Sequence, residues 1–158
     1  MNVAGILDRA RAAGVMIATA ESCTGGLVAA ALTDVAGSSD VMERGFVTYT
    51  NLAKQQMLGV RAETLATHGA VSEAVAREMA EGALAHAPVQ LAVSVTGIAG
   101  PGGSEFKPEG RVCFALAASG HTTLSETVEF GARGRDRVRR AARDHALTML
   151  DRALSHFA

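Results

Sequence analysis

The chain has 158 residues, of which 48% are hydrophobic and 20% are charged, and its formal net charge is -1 at pH 7. This length and composition predict one globular domain over residues 1–158 that can bury a sizeable core. The near-neutral charge argues against a surface dedicated as a whole to nucleic acid or to an anionic membrane.

No stretch of the sequence approaches the roughly 20 apolar residues that span a bilayer. The N-terminus has no long apolar run behind a basic start, so we expect a cytoplasmic protein without a membrane partner. Cys23 and Cys113 are too few for a disulfide framework. The five histidines show no spacing typical of metal ligands, and we expect no metal site.

Helices and strands are predicted in alternation along most of the chain. Apolar residues at helical spacing, with capping residues such as Asn51 and Ser72 before them, predict helices over six ranges: 3–13, 27–35, 52–58, 62–67, 73–87 and 135–156. Short apolar or alternating runs predict strands over five ranges: 15–20, 44–50, 91–96, 111–118 and 122–130.

This order favours an α/β fold, a three-layer α/β/α sandwich around a mixed, mainly parallel sheet. The last two strands are separated only by a turn at 119–121, which is typical of a hairpin. In open α/β sheets, ligands bind outside the carboxyl ends of the strands. Gly-rich turns follow two of those ends, at 22–26 and 96–103, and predict the site there.

The first candidate is an anion site where the second helix begins. Ser22, Thr24, Gly25 and Gly26 follow a strand and open a helix, so free backbone N–H groups and hydroxyls could hold a phosphate or carboxylate. The pattern is not a Walker loop, because GxxxxGK[ST] is absent. A tightly packed, capped turn is the alternative interpretation of the same residues.

The second candidate is a serine nucleophile with a lysine base. Ser39 is followed fifteen residues later by Lys54, with Tyr49 between them, and serine–lysine pairs are a known arrangement. Lys54 must be neutral to act, which burial or a neighbouring cation such as Arg135 would favour. A plain helix cap at Ser39 and a solvated Lys54 are the alternative, and Cys23 at a helix N-terminus is a rival nucleophile.

Arginines crowd the start of the last helix. At roughly 100° per residue, Arg135 and Arg139 fall on the apolar face of this helix, whereas Arg137 and Arg140 point away. That face is defined by Val138, Ala142, Ala146, Met149, Leu150, Ala153 and Phe157. Inward arginines indicate an anion or carboxylate partner. A solvated face and nucleic-acid contact are the alternatives.

Several motifs, taken together and in this order, resemble the CinA C-terminal domain family. They are AESCTGG at 20–26, GSS at 37–39, GFVTY at 45–49, Asn51 with Lys54, GAVS at 69–72 and GIAGP at 97–101. The resemblance covers nearly the whole chain. It implies a three-layer α/β/α fold.

Single-domain members of this family are nicotinamide-nucleotide amidases. The resemblance therefore implies hydrolysis of the carboxamide of nicotinamide mononucleotide to nicotinate mononucleotide and ammonia, with this small nucleotide as partner and without a cofactor. It implies that Ser39 is the nucleophile, assisted by Tyr49 and Lys54. It also implies a substrate site formed by the following residues: Ser22, Thr24, Gly25, Gly26, Thr96, Gly97 and Arg135.

Two other classes of function stay open. A non-catalytic nucleotide-binding regulatory module would use the same Gly-rich loops and bind nucleotide without turnover. Nucleic-acid binding through the arginines would weaken steeply with salt, although the overall charge speaks against it. The sequence does not decide between a monomer and a homo-oligomer.

Overall fold

The computed structural model describes residues 1–104 and 106–156. Across these residues the helices are α1 Val3–Ala13, α2 Leu27–Thr33, α3 Asn51–Leu58, α4 Ala62–His68, α5 Glu73–Ala85 and α6 Arg135–Leu154. The strands are β1 Ile17–Glu21, β2 Met42–Val47, β3 Leu91–Gly97, β4 Arg111–Ala118 and β5 Leu124–Glu129. A short 3-10 helix, Ser38–Asp40, precedes β2.

The strands form one sheet in the order β2-β1-β3-β4-β5. Strand β1 pairs in parallel with both β2 and β3, while the β3–β4 and β4–β5 pairs are antiparallel. Four of the five described strands therefore run in the same direction, and β4 is the exception. Because Glu21 is in register with both Val47 and Val95, the carboxyl ends of the three parallel strands meet at one edge.

The helices cover both faces of the sheet, which confirms the predicted three layers. Ile17 on β1 faces a core shared with α1, α2 and α6. The next residue along the strand, Ala18, faces the opposite core, which contains α3, α4 and α5 residues. This alternation follows from the period of two in a strand, and small residues such as Ala20 and Ala92 let the second helix layer approach closely.

Helix α6 presents the apolar face that the sequence predicts. Val138, Ala142, Ala146 and Leu150 are fully buried against the sheet. Phe157, which the sequence also places on this face, lies outside the described residues. None of the described helices has both the length and the apolarity that crossing a bilayer requires.

Two of the differences between predicted and observed element boundaries lie close to Lys54. Helix α3 is capped by Thr50, whose Oγ1 accepts a hydrogen bond from Ala53 N at 3.0 Å, and not by Asn51. Thr50 has the extended backbone that a capping residue needs, while Asn51 is already helical. Strand β2 begins at Met42 and ends at Val47, so Thr48 and Tyr49 lie just beyond its carboxyl end.

A glycine inside α5 permits close contact with the end of α3. A Cβ atom at Gly82 would come within 2.0 Å of the carbonyl oxygen of Leu58. We expect Gly82→Ala to lower the free energy of unfolding by about 1–3 kcal/mol, because the overlap is with rigid backbone. In an unhindered helix the same change would raise it by about 1 kcal/mol. Urea unfolding followed by circular dichroism measures the sign.

Gly5→Ala in α1 is the matched control for this substitution. The nearest atoms to a Cβ atom there belong to movable side chains, the amide end of Asn2 at 2.8 Å and Arg9 Nη2 at 3.5 Å. The control should be as stable as the unmodified protein or slightly more stable. A Gly82→Ala protein of undiminished stability would show that α3 and α5 are not packed as described.

Candidate active site

Lys54 is buried, although the amine of a lysine side chain is usually protonated and charged. It lies on α3, and its side chain is 1% exposed. Its amine donates hydrogen bonds to Ser22 Oγ at 2.9 Å, to the Thr48 carbonyl at 3.0 Å and to the Tyr49 carbonyl at 3.5 Å. All three partners are neutral. The lysine is therefore held in place without a compensating negative charge.

This environment favours the neutral amine. Burial lowers the pKa of Lys54 below its ordinary value, with an opposing contribution from nearby Cys23. A neutral lysine amine has a lone pair that can accept a proton from a hydroxyl. The contact with Ser22 therefore places a candidate base within hydrogen-bond distance of a candidate nucleophile.

Ser22 is fixed by the sheet itself. It directly follows β1, and its N–H donates to the Val95 carbonyl at 2.9 Å, which extends the pairing of β1 with β3 by one residue. Its own carbonyl accepts a hydrogen bond from Gly25 N at 3.0 Å in the turn that leads to α2. Ser22 therefore stands at the carboxyl edge of the sheet, where Thr48 and Lys54 also arrive.

Ser39 lies at the opposite edge of the sheet, so the structure does not bring together the predicted pair of Ser39 and Lys54. It belongs to the 3-10 helix before β2, where Ile17 N donates to the Val41 carbonyl at 2.7 Å beside the start of β1. The six residues of β2 separate this point from Tyr49, a span of roughly 20 Å at about 3.3 Å per residue. The serine that contacts Lys54 is Ser22.

The predicted anion site at the start of α2 is filled by the protein's own carboxylate. Glu21 is 1% exposed. Its Oε1 accepts hydrogen bonds from Gly26 N at 3.2 Å and Val28 N at 2.9 Å, and its Oε2 accepts one from Ala29 N at 3.0 Å. The free N–H groups of this helix end are thus satisfied, and no substrate anion is needed there.

Glu21 does not line the cavity, but it fixes the turn after Ser22, and this role was not predicted from the sequence. The signal was present, because Gly26 stands at the capping position of α2 and has no side-chain oxygen to offer. An acidic side chain nearby is the natural substitute, since it also interacts favourably with the positive end of the helix dipole.

A cavity of about 360 Å³ opens beside the Ser22–Lys54 pair. Among the described residues, those of the predicted site that line it are Ser22, Tyr49, Lys54, Thr96, Gly97 and Arg135. Thr24, Gly25, Gly26 and Ser39 are not among the lining residues. The structure therefore brings together the carboxyl end of β1, the end of β3 and the start of α6.

Arg135 and Tyr49 meet at the mouth of the cavity. Arg135 opens α6 and donates one hydrogen bond to the Gly100 carbonyl at 2.8 Å and another to the Tyr49 hydroxyl at 2.5 Å. Both side chains are exposed. Of the two arginines predicted to face inward, Arg135 reaches the cavity, while Arg139 contacts the carbonyls of Cys23 and Thr24 behind it.

The opposite wall is formed where β3 ends. Thr96 Oγ1 donates to the Ala70 carbonyl at 2.9 Å, which ties the strand to the segment before α5. Gly97 contacts Val112 so closely that a Cβ atom would approach its Cγ2 to 2.6 Å. The Gly-rich loop that follows, at 98–104, continues along the cavity.

Cys23 does not have the properties of a nucleophile. It is 5% exposed, and burial raises the pKa of its thiol to about 12. The thiol is therefore protonated at neutral pH, whereas thiolate is the reactive form. A backbone hydrogen bond and the nearby cations Arg139 and Lys54 favour the thiolate, but they do not overcome the cost of burying its charge.

The buried cap of α2 makes a measurable contribution to stability. Glu21→Gln replaces an oxygen that accepts N–H donors with an NH2 group that repels them. We expect the free energy of unfolding to fall by about 1–3 kcal/mol, as measured by urea titration. Glu63→Gln, an exposed acid in the first turn of α4, should change it by about 0.5 kcal/mol or less. Equal stability of the two variants would contradict the capping role.

Relatives of this chain share one family. The family model of the CinA C-terminal domain matches residues 2–154. The Escherichia coli K12 protein named nicotinamide-nucleotide amidohydrolase PncC is 57% identical over 141 residues, which cover 89% of this chain and 85% of that protein. A CinA-like protein of Chlorobium phaeobacteroides is 56% identical over 146 residues, but the match spans only 34% of its length.

Solved structures agree with this assignment. The competence/damage inducible protein CihA of Agrobacterium tumefaciens is similar with a TM-score of 0.92 and 51% identity, over 97% of this chain and 93% of that one. The competence damage-inducible protein ComA of Klebsiella pneumoniae gives a TM-score of 0.91 at 41% identity, with 100% of both chains covered. The chain belongs to the CinA C-terminal domain family.

Proposed function

We propose that this chain hydrolyses the carboxamide of nicotinamide mononucleotide to nicotinate mononucleotide and ammonia. The observation that carries the proposal is the 2.9 Å contact between Ser22 Oγ and the buried amine of Lys54, beside an open cavity. The name of the Escherichia coli relative, which the chain matches over most of its length, supports the choice of substrate.

In the proposed reaction, Ser22 is the nucleophile and Lys54 the general base. Neutral Lys54 takes the hydroxyl proton while Ser22 Oγ attacks the carboxamide carbon. The resulting ammonium returns the proton to the leaving nitrogen, so that ammonia departs and an acyl-enzyme forms. Lys54 then activates a water molecule, which attacks the ester carbon and releases the carboxylate product together with free Ser22.

The remaining cavity groups suit the charges of this substrate. Since Glu21 occupies the start of α2, Arg135 at the mouth is the cation that we assign to the 5′-phosphate. Its guanidinium can exchange contacts with the Tyr49 hydroxyl and the Gly100 carbonyl for the anion. The N–H groups of Ile98, Gly102 and Ser104 are bonded within the protein, so other backbone N–H groups of the loop at 97–104 would stabilise the oxyanion of the tetrahedral intermediate.

Substitution of the three candidate residues separates the two serines. Ser22→Ala and Lys54→Met should each lower kcat by about 1000-fold or more, because each removes a reacting group. Ser39→Ala should retain activity to within about twofold, since Ser39 lies on the exposed far edge. Ammonia release from nicotinamide mononucleotide measures all three.

The opposite pattern would be decisive against the assignment. Activity that survives Ser22→Ala and disappears in Ser39→Ala would identify Ser39 as the nucleophile. Binding of the nucleotide without any ammonia release by the unmodified protein would point instead to a non-catalytic module.

The state of Lys54 also predicts the pH dependence. Because only the neutral amine accepts a proton, kcat/KM should rise with pH and level off above the pKa of Lys54, which burial holds below its ordinary value. Initial rates between about pH 6 and pH 10 would show the inflection. Lys54→Arg should abolish the rise, since arginine stays protonated. A profile without a rising limb in the unmodified protein would contradict the base role.

A further inference from the structure

Arg139 contacts the turn that directly follows Ser22. It lies one helical turn after Arg135 on α6. Its Nε donates to the Cys23 carbonyl at 3.0 Å, and its Nη2 donates to the Thr24 carbonyl at 3.3 Å. These two carbonyls belong to the residues that directly follow Ser22. The side chain of Arg139 does not line the cavity, so contact with substrate does not explain its position.

The partners of Arg139 differ from those of neighbouring arginines. Arg140 and Arg143 form exposed ion pairs with Asp136 and Asp144 on their own helix. Arg139 is half-buried and directs its guanidinium to uncharged backbone oxygens on a different element. Partial burial of a guanidinium is unfavourable unless its N–H groups form hydrogen bonds. The turn therefore holds the side chain of Arg139 in place, and the side chain holds the turn in return.

The turn is shaped to accept the guanidinium. Gly25 has a φ of +58°, and a Cβ atom there would approach Arg139 Nη2 to 3.3 Å. On its other side the turn is bonded through Gly26 N to the Glu21 carboxylate. The segment after Ser22 is therefore held between a carboxylate that accepts from its N–H group and a guanidinium that donates to its carbonyls.

We propose that Arg139 is a positioning residue for the amidase reaction and sets the orientation of Ser22 toward Lys54 and the substrate. This inference rests on the proposed function. A displacement of a reacting atom by about 1 Å can cost about 100-fold in rate, and the planar fork of arginine bonds both carbonyls at once, which a lysine amine on a flexible stem does less well.

The experiment compares Arg139→Met and Arg139→Lys with Arg137→Met. Arg137 is an exposed arginine on the opposite side of the same helix, which makes it a matched control for charge. We expect Arg139→Met to lower kcat about 10- to 100-fold with KM changed less than about twofold, because substrate contacts are intact. Arg139→Lys should fall between, and Arg137→Met should match the unmodified protein. Ammonia release gives both constants.

A second measurement separates positioning from folding. Guanidinium ion at millimolar concentration should restore part of the kcat of Arg139→Ala, which truncates the side chain and leaves space for the ion, and should leave Arg137→Met unchanged. The thermal unfolding midpoint is recorded for each variant. If the Met and Ala variants do not fold, the kcat and KM of Arg139→Lys decide.

Three results overturn the inference. One is that Arg139→Met has the same kcat as Arg137→Met. Where only Arg139→Lys folds, its kcat is compared with that of Arg137→Met instead. Another is a loss that appears only in KM. The third is a loss in a folded Arg139→Ala that guanidinium does not reverse. If the unmodified protein releases no ammonia, the proposed function fails and this inference fails with it. If the unmodified protein turns over the substrate and Arg139→Met has an unchanged kcat, only this inference is rejected.

Discussion

The site depends on one constraint, the burial of the Lys54 amine against neutral oxygens. A lysine with 1% exposure and no acidic partner among its three hydrogen bonds is unfavourable for stability. The parallel pairing of β2 with β1 brings Thr48 beside Ser22, and α3 turns back to deliver the amine to both. The same unfavourable burial lowers the pKa of Lys54 and so favours the neutral amine, which is the form that the proposed base role requires.

Two charged side chains outside the cavity support this arrangement. Glu21 ends β1 and bonds the start of α2, while Arg139 joins α6 to the intervening turn. Together they connect the sheet, α2 and α6 to the turn at 22–26. Neither side chain lines the cavity, and both contact the turn that follows Ser22.

The sequence predicted the fold well, whereas the structure does not bring Ser39, the serine predicted to act with Lys54, to the cavity. Local signals sufficed for α1, which ends at Ala13 and is capped by Gly14 in a left-handed conformation, and for the placement of Ser22 and Thr96 beside one cavity. The choice of Ser39 depended on spacing and resemblance, but the distance between two side chains depends on the strand direction between them. Ser39 precedes β2 and Lys54 follows it, so the rule that ligands lie at carboxyl ends already disfavoured Ser39. The cap provided by Glu21 was not predicted, because this acid lies at the end of the preceding strand, five residues before Gly26, and not in the first turn of the helix.

The identity of the nucleophile is tested most directly by finding which residue is modified. A fluorophosphonate reagent reacts with a serine hydroxyl only where a base activates it, and peptide mass spectrometry locates the adduct. If Ser22 is the nucleophile and Lys54 its base, a single adduct forms on Ser22, and it is absent from Lys54→Met. An adduct on Ser39 or Cys23, or an unmodified Ser22 in a protein that releases ammonia, would contradict it.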